Sequence, residues 1–244
     1  MTAQDAFADG QETQGGEPAG VPVGHAGARV DISERRAVTI DGLLGVLAFV
    51  VLLGLSVVLF VAAANADSSG GDGLGFGVGG GALAVLAGLL FSGIRIVGPG
   101  DTMVLQFFGR YIGTIRNAGL RLAVPLVVGR KVSVKVRNFE TNELKVNDAD
   151  GNPVNIAGII VWQVADTAKA VFAVENYTEF VRVQSEAALR HVASSHPYDN
   201  AGPGEESLRG STDVVAAELA AEVAARIAIA GLEVVEARIS SLAY

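Results

Sequence analysis

The residues best suited to chemistry in this sequence are a few histidines. The chain carries three histidines and no cysteine. His191 and His196 are not spaced at i, i+4, the separation at which two metal ligands share a helix face, and His25 stands alone in a polar N-terminal segment. The sequence therefore offers no histidine pair for a metal. The lack of cysteine excludes disulfides, thiol catalysis and S-palmitoylation.

An Asp-rich turn at residues 147–153 is the second candidate for chemistry. It contains Asp148-Ala149-Asp150-Gly151, which resembles the start of a calcium-binding loop. An EF-hand needs further oxygen ligands at fixed spacing and a closing Glu, and these do not follow. Leu144 and Val146 alternate with polar residues before the turn, and residues 154–164 are mostly apolar after it. The pattern predicts the tip of a β-hairpin.

Other catalytic patterns are missing from the sequence. It holds no Gly-x-Ser-x-Gly, no phosphate-binding Gly-x-x-x-x-Gly-Lys motif and no His-Glu-x-x-His. The net charge is −8, so the strong positive excess of a nucleic-acid-binding surface is absent. We predict a protein that is not an enzyme, with no catalytic, cofactor-binding or metal residues, no cofactor and no nucleic-acid partner. A hydrolase using Ser or Asp has the least support.

Two long apolar runs are the most prominent feature of the sequence, and they would position any site. They cover about residues 43–66 and 74–97, and the only charged residue within them is Arg95. About 20 apolar residues are enough for a helix to cross a bilayer. The polar residues 67–73 between the runs suit a turn at the membrane surface. The sequence predicts a transmembrane hairpin over residues 42–97, rather than a soluble core or a signal peptide, which would begin nearer the N-terminus.

Charges around the two runs predict their orientation. Asp67 and Asp72 lie between the runs, whereas the bases lie on their outer sides: Arg29, Arg35, Arg36, Arg95 and Arg110. By the positive-inside rule both termini are cytoplasmic. We therefore expect a multi-pass protein of the plasma membrane, with the lipid bilayer as its first partner.

Small residues recur every four positions along the second run. Gly80, Ala84, Gly88 and Ser92 form this stripe, and such stripes let transmembrane helices approach closely. The expected partner is the first run, which offers Gly54 and Ser56; self-association of hairpins is the alternative. Neither run has an ionisable residue near its centre, which favours a membrane anchor over a transport path.

A block of bases without acids follows the second run. Residues 102–139 contain no Asp or Glu but seven bases: Arg110, Arg116, Arg121, Arg130, Lys131, Lys135 and Arg137. Bases at this place can lie on anionic lipid headgroups. The candidates for membrane-surface contact are Arg110, Arg116, Arg121, Arg130 and Lys131. The alternative is a solvated strand face whose bases pair with acids elsewhere in the domain.

The rest of the chain divides into a tail and alternating strand and helix patterns. Residues 1–38 are too polar to bury a core and predict a disordered cytoplasmic tail. Period-two patterns predict strands at 102–108, 111–115, 132–136, 144–146, 154–164 and 232–239. Helical patterns and caps predict helices at 166–173, 177–195 and 212–230, with Gly231 as the last C-terminal cap.

Several segments are informative when taken in order: Val97-Gly98-Pro99-Gly100-Asp101, Phe108-Gly109-Arg110-Tyr111, Val136-Arg137-Asn138-Phe139-Glu140-Thr141, Val161-Trp162-Gln163-Val164 and Glu236-Ala237-Arg238-Ile239. Together they resemble the SPFH (band 7) family, which includes stomatins, prohibitins and flotillins. The likeness covers about residues 97–244, and the chain is most similar to a bacterial branch with a two-span N-terminal hairpin.

The resemblance implies a fold and a role. The fold is α+β, a mostly antiparallel sheet with packed helices over residues 98–244, preceded by the transmembrane hairpin. The role is that of a homo-oligomeric scaffold that organises membrane microdomains or regulates a membrane protease or another membrane protein. An accessory subunit of a transporter or channel is the alternative. Family members continue into a long coiled coil, and we expect this chain, which stops at Tyr244, to lack that helix and to oligomerise in its full-length form.

Overall fold

Two long apolar helices form the N-terminal part of the structure. The computed structural model describes residues 32–70, 73–199 and 206–243. Helix α1 is Gly42–Ser68 and helix α2 is Leu74–Ser92; at 1.5 Å per residue they are about 40 Å and about 28 Å long. Both are long and apolar enough to cross a membrane, and only 11% of their most apolar windows is buried. Their side chains are therefore mostly exposed, unlike those of helices in a protein core.

The second apolar helix ends earlier than the sequence suggested. We expected it to reach Val97, but α2 stops at Ser92, and the next residues form strand β2, Ile94–Val97. Gly93 closes the helix by donating its N–H to the Leu90 carbonyl at 3.1 Å. The alternating, β-branched sequence after Gly93 favours a strand, and strand β5, Gly119–Leu122, pairs with it.

A three-stranded sheet follows the hairpin. Strands β3, Asp101–Phe107, and β4, Arg110–Ile115, confirm two predicted strands, and β6, Val128–Ser133, pairs with the other edge of β3. A small core backs this sheet and contains Val97, Leu105, Ile115, Ala123 and Val127. The prediction of a strand over residues 132–136 was wrong in its bounds, because β6 ends at Ser133. The strand breaks at Val134, whose N–H donates to the Gly100 carbonyl at 3.0 Å, and the chain passes into a different sheet.

The largest sheet is built around one long strand. Strand β9, Pro153–Val164, pairs with β7, Arg137–Glu140, and β8, Leu144–Asn147, on one side, and with β10, Leu232–Ala243, on the other. The β8–β9 turn confirms the predicted hairpin tip. Asp148 accepts the N–H of Asn152 at 2.7 Å and that of Tyr198 at 3.1 Å, so its carboxylate closes the turn and binds the backbone after α4.

Three helices complete the α+β class that the sequence predicted, and the second and third of them cover this sheet. They are α3, Thr167–Phe172, α4, Tyr177–Ser195, and α5, Thr212–Ile227, which ends in a 3-10 turn, Ala228–Ala230. Their shared core includes Trp162, Ile160, Leu189, Leu219 and Val223. Each such side chain contributes about 1.5–3 kcal/mol when buried. Gly231, at φ 69°, turns the chain into β10.

Residues 32–37, which we call the strap, do not belong to a disordered tail as expected. The strap lies against β4: Thr114 donates its N–H to the Arg35 carbonyl at 2.7 Å, and its carbonyl accepts the Ala37 N–H at 3.0 Å. The Tyr111 hydroxyl lies 3.0 Å from the Arg35 nitrogen. The expected tail boundary at residue 38 is therefore too late, and residues 1–31 lie outside the described part of the chain.

Glu34 fixes the strap to the domain. Its carboxylate accepts the N–H and the hydroxyl of Thr167 at 2.8 and 2.9 Å and pairs with the Arg116 guanidinium. Partial burial opposes ionisation of Glu34, but the hydrogen bonds from Arg116 and Thr167 outweigh it and hold the pKa of Glu34 below its usual value near 4.5. The charged carboxylate thus joins the strap, β4 and the start of α3.

Because the folded-state pKa of Glu34 is lowered, its contribution to strap attachment is full above the usual carboxyl pKa and is lost as the pH falls through the folded value. We expect the hydrogen-exchange protection of the Thr167 and Thr114 amides, corrected for intrinsic rates, to fall in acid. Glu34→Gln should lower this protection about tenfold near neutral pH, as the loss of a charge-assisted hydrogen bond predicts, and flatten its pH dependence.

Glu179→Gln is the matched control, because Glu179 pairs with Arg182 on an exposed face of α4. It should leave strap protection unchanged. Equal pH profiles for the wild-type protein and Glu34→Gln would contradict the role given to Glu34.

Candidate membrane-interface site

A second three-stranded sheet, which we call the foot sheet, lies at one end of both apolar helices. Its order is β1-β5-β2, where β1 is Ile40–Asp41. Asp41 pairs with Arg121 of β5 and also caps α1, accepting the Leu43 N–H at 3.0 Å. On the other side β5 pairs with β2, which follows α2. One strand of the domain therefore binds the chain just before α1 and just after α2.

Two glycines allow the helices to meet the foot sheet backbone to backbone. A Cβ at Gly42 would lie 2.5 Å from the Leu120 carbonyl carbon, and a Cβ at Gly93 would lie 2.5 Å from the Ala123 oxygen. The Ala123 N–H donates to the Gly93 carbonyl at 2.9 Å. These approaches leave no room for a side chain, so the joint between hairpin and domain is tight.

Exposed apolar side chains surround the foot of α2. We call Phe107, Phe108, Val124, Leu126 and Val128 the apolar rim. The Leu126 N–H donates to the Ser92 hydroxyl at the end of α2, at 3.2 Å. Val128 pairs with Gln106 in β3, which places the β3–β4 turn with Phe107 and Phe108 beside it. Leu126 is 55% and Phe108 85% exposed, as expected of side chains at an interaction or membrane surface.

Two rim residues adopt a backbone conformation that is unusual for their type. Phe108 has φ 46° and Leu126 has φ 62°, in the left-handed region that costs a non-glycine residue roughly 1–3 kcal/mol. In both cases a bulky apolar side chain is directed away from the protein. An apolar surrounding outside the protein would favour this arrangement.

The structure separates the five basic candidates for membrane contact. Arg116 pairs with Glu34 and donates to the Ala165 carbonyl at 2.6 Å, and Lys131 pairs with Asp101 at 2.9 Å. These two bases pair with acids of the protein itself, as the alternative interpretation expected. Arg110 and Arg130 are exposed, and Arg110 pairs across the β3–β4 turn with Phe107 of the rim. Arg121 lies in the foot sheet.

Only part of the small-residue stripe of α2 contacts α1. The Ser56 hydroxyl donates to the Gly80 carbonyl at 2.8 Å, whereas a Cβ at Gly88 would meet nothing within 4 Å. Ala84 is half-buried, and Ala87, which the sequence analysis did not select, is 1% exposed. Four residues turn a helix about 400°, so a four-residue repeat drifts off the contact face, whereas seven residues stay close to it.

Ser92, the last member of the stripe, contacts the domain at the end of α2 and does not contribute to the packing of α2 on α1. Its hydroxyl donates to the Leu89 carbonyl at 2.6 Å and accepts the Leu126 N–H. Sequence reasoning also missed the apolar rim. A signal was present, since residues 124–128 contain four apolar residues and a proline, but a short apolar run is also typical of a strand buried in a core.

The described residues contain no group of three or more His, Asp or Glu side chains that could hold a metal ion. Both ring nitrogens of His196 are engaged, one 2.7 Å from Glu218 and the other 3.3 Å from the Glu206 carbonyl. This histidine ties the loop before α5 to that helix.

The domain is thus an α+β unit joined rigidly to an apolar helical hairpin. Residues 95–244 match the model of the SPFH domain / Band 7 family, which spans more than half of the chain, and the protein belongs to that family. A comparison with curated proteins finds no match. The matched segment begins at Arg95, within β2, so the family domain includes the foot-sheet strand that follows α2.

The geometry of the helix pair predicts a disulfide. A Cβ at Gly77 would lie 3.9 Å from the Ala63 Cβ, a separation typical of cystines. Because the chain has no cysteine of its own, Ala63→Cys with Gly77→Cys should oxidise within one molecule, seen as loss of maleimide labelling. Adding Gly80→Leu should slow oxidation, since that Cβ already lies 3.2 Å from Phe60 and the Ser56 oxygen.

Gly88→Leu is the matched control and should oxidise like the parent pair. Equal slowing by both leucines would mean that α2 presents a different face to α1.

Single cysteines test the apolar rim. A bimane label at Leu126→Cys or Phe108→Cys should be quenched by nitroxide lipids in vesicles, because these positions surround the foot of α2. Val235→Cys, which is 53% exposed on β10, is the control and should not be quenched. Equal quenching at all three positions, or at none, would show that the rim does not contact lipid.

Proposed function

We propose that this protein is a membrane-anchored scaffold that assembles with copies of itself and organises membrane microdomains, or regulates a membrane protease or another membrane protein. The main support for this proposal is the foot sheet, in which β5 pairs with the strands at the membrane-proximal ends of both apolar helices. A joint of this kind holds a domain at a fixed height and orientation. The SPFH/band 7 family is membrane-associated and generally scaffold-like rather than enzymatic.

The proposed orientation puts the domain and both termini on the cytoplasmic side of the plasma membrane. Arg35, Arg36 and Arg95 lie at the foot end of the hairpin, and Asp67 lies at the opposite end. Bases on the cytoplasmic side are the pattern that membrane insertion favours. The apolar rim and Arg110 would then lie at the headgroup layer, an arrangement favourable for aromatic and basic side chains.

Charge segregation supports assembly between copies. The β3–β6 sheet carries the exposed bases Arg110 and Arg130, whereas α5 carries the exposed acids Asp213 and Glu218. Surfaces of opposite charge on different sides of one domain favour a head-to-tail contact, which closes into a ring when the rotation permits.

The alternative, an accessory subunit of a transporter or channel, has less support. The only ionisable side chain in the described parts of α1 and α2 is Asp67, in the last turn of α1. Ion and proton paths are usually lined by ionisable groups deeper in the membrane.

The test is amine-reactive crosslinking of the protein at its natural length in its own membranes, followed by affinity capture in mild detergent. We expect a ladder of multiples of one chain, weakened by high salt because the contacts are electrostatic, and co-capture of other membrane proteins. A protein that remains monomeric both in the membrane and in detergent would contradict the scaffold.

A further inference from the structure

Two arginines lie directly opposite each other in the foot sheet. Arg95 of β2 and Arg121 of β5 are antiparallel partners, so their side chains share one face of the sheet with Cβ atoms about 5 Å apart. Like charges at such positions destabilise a sheet unless another group compensates them. The compensation has to come from within the domain or from a bound anion.

The domain supplies little compensation. The Arg95 Nη2 donates to the Val127 carbonyl at 2.6 Å, but the Nε atoms of both Arg95 and Arg121 are buried and have no hydrogen-bond partner. Within residues 32–70, 73–199 and 206–243, no carboxylate lies within 4 Å of either guanidinium. Buried N–H groups without partners are costly, so this pair is built for an additional acceptor.

The nearest acid across the sheet is already engaged. Asp41 pairs in register with Arg121, on the strand opposite to that of Arg95. Its carboxylate instead accepts the Leu43 N–H and caps α1. The row Arg95-Arg121-Asp41 therefore contains two cations and one anion. The carboxylate of Asp41 is hydrogen-bonded to the start of α1 and does not pair with either arginine.

The position of the pair indicates which kind of anion could compensate it. Arg95 follows the end of α2 by three residues, and the length of α2, about 28 Å, nearly matches the hydrocarbon core of about 30 Å. The pair thus lies at headgroup level when the hairpin crosses a bilayer. Leu122, next to Arg121 in β5, contacts the helix side near Gly45 and Gly93, so the arginines occupy the face turned away from the hydrocarbon.

We propose that Arg95 and Arg121 form a clamp for the phosphate of an anionic phospholipid in the cytoplasmic leaflet. Planar guanidinium groups bind phosphate oxygens through paired N–H donors, and one phosphate between them would offset their repulsion. This inference rests on the membrane placement in the proposed function. It adds a defined lipid site, shared by the strand after α2 and the central strand of the foot sheet.

The test uses the purified full chain in dodecyl maltoside, titrated with phosphatidylglycerol and followed by native mass spectrometry. Each surface cation contributes about 1 kcal/mol to binding anionic lipid, so Arg95→Gln with Arg121→Gln should weaken binding about thirtyfold. Lys145→Gln with Arg190→Gln removes the same charge from exposed positions on β8 and α4 and should weaken it much less. Arg121→Lys, which keeps the charge but loses the guanidinium fork, should give an intermediate affinity.

A second measurement separates binding from folding. In lipid-free detergent, Arg121→Gln should melt no lower than the wild-type protein, because the substitution removes like-charge repulsion. Phosphatidylglycerol should raise the melting temperature of the wild-type protein more than that of Arg121→Gln. Equal lipid binding by the two double variants would overturn the clamp, as would inorganic phosphate that competes at the same concentration as the lipid, since the site would then serve a free anion.

The outcomes also distinguish the clamp from the anchoring on which it rests. A wild-type protein that resists alkaline carbonate extraction while both double variants bind lipid equally overturns the clamp alone. Extraction of the wild-type protein by carbonate overturns the anchoring itself.

Discussion

The structure depends on the backbone pairing of β5 with both β1 and β2. This four-residue strand lies between the chain that enters α1 and the chain that leaves α2, and its hydrogen bonds leave neither chain free to move alone. Gly42 and Gly93 let the backbones approach closely enough for this pairing. The consequence is that backbone hydrogen bonds join the helical hairpin to the SPFH domain, in contrast to a domain that hangs from a flexible linker.

Much of the fold was predictable because its signals are local. The length and apolarity of α1, the bounds of α4 and the left-handed Gly231 after α5 depend on neighbouring residues, and the helices of the domain agree closely with the patterns. The end of α2 was not predictable in this way. Ile94 and Ile96 are as suitable for a membrane helix as for a strand, and only a partner distant in sequence, β5, decides between the two.

The candidate site was less predictable for the same reason. The bases after the second helix were evident, but whether each faces lipid or an acid depends on tertiary contacts. Arg116 is engaged by Glu34, from a segment whose composition indicated disorder. The partly buried Glu34 carboxylate and the backbone pairing of Arg35 and Ala37 with Thr114 together order that segment. The drift of a four-residue repeat on a helix explains why Gly80 packs against α1 and Gly88 does not.

The position of β5 along the chain has a further consequence for how the protein is made. Synthesis proceeds from the N-terminus, so α1 and α2 leave the ribosome before residues 119–122 exist. In the proposed arrangement the hairpin must therefore enter the bilayer with its ends unpaired, held only by contacts such as that between Ser56 and Gly80. Closure of the foot sheet then locks an insertion that has already occurred, and an error in the depth of either helix would leave β5 without one of its two partners.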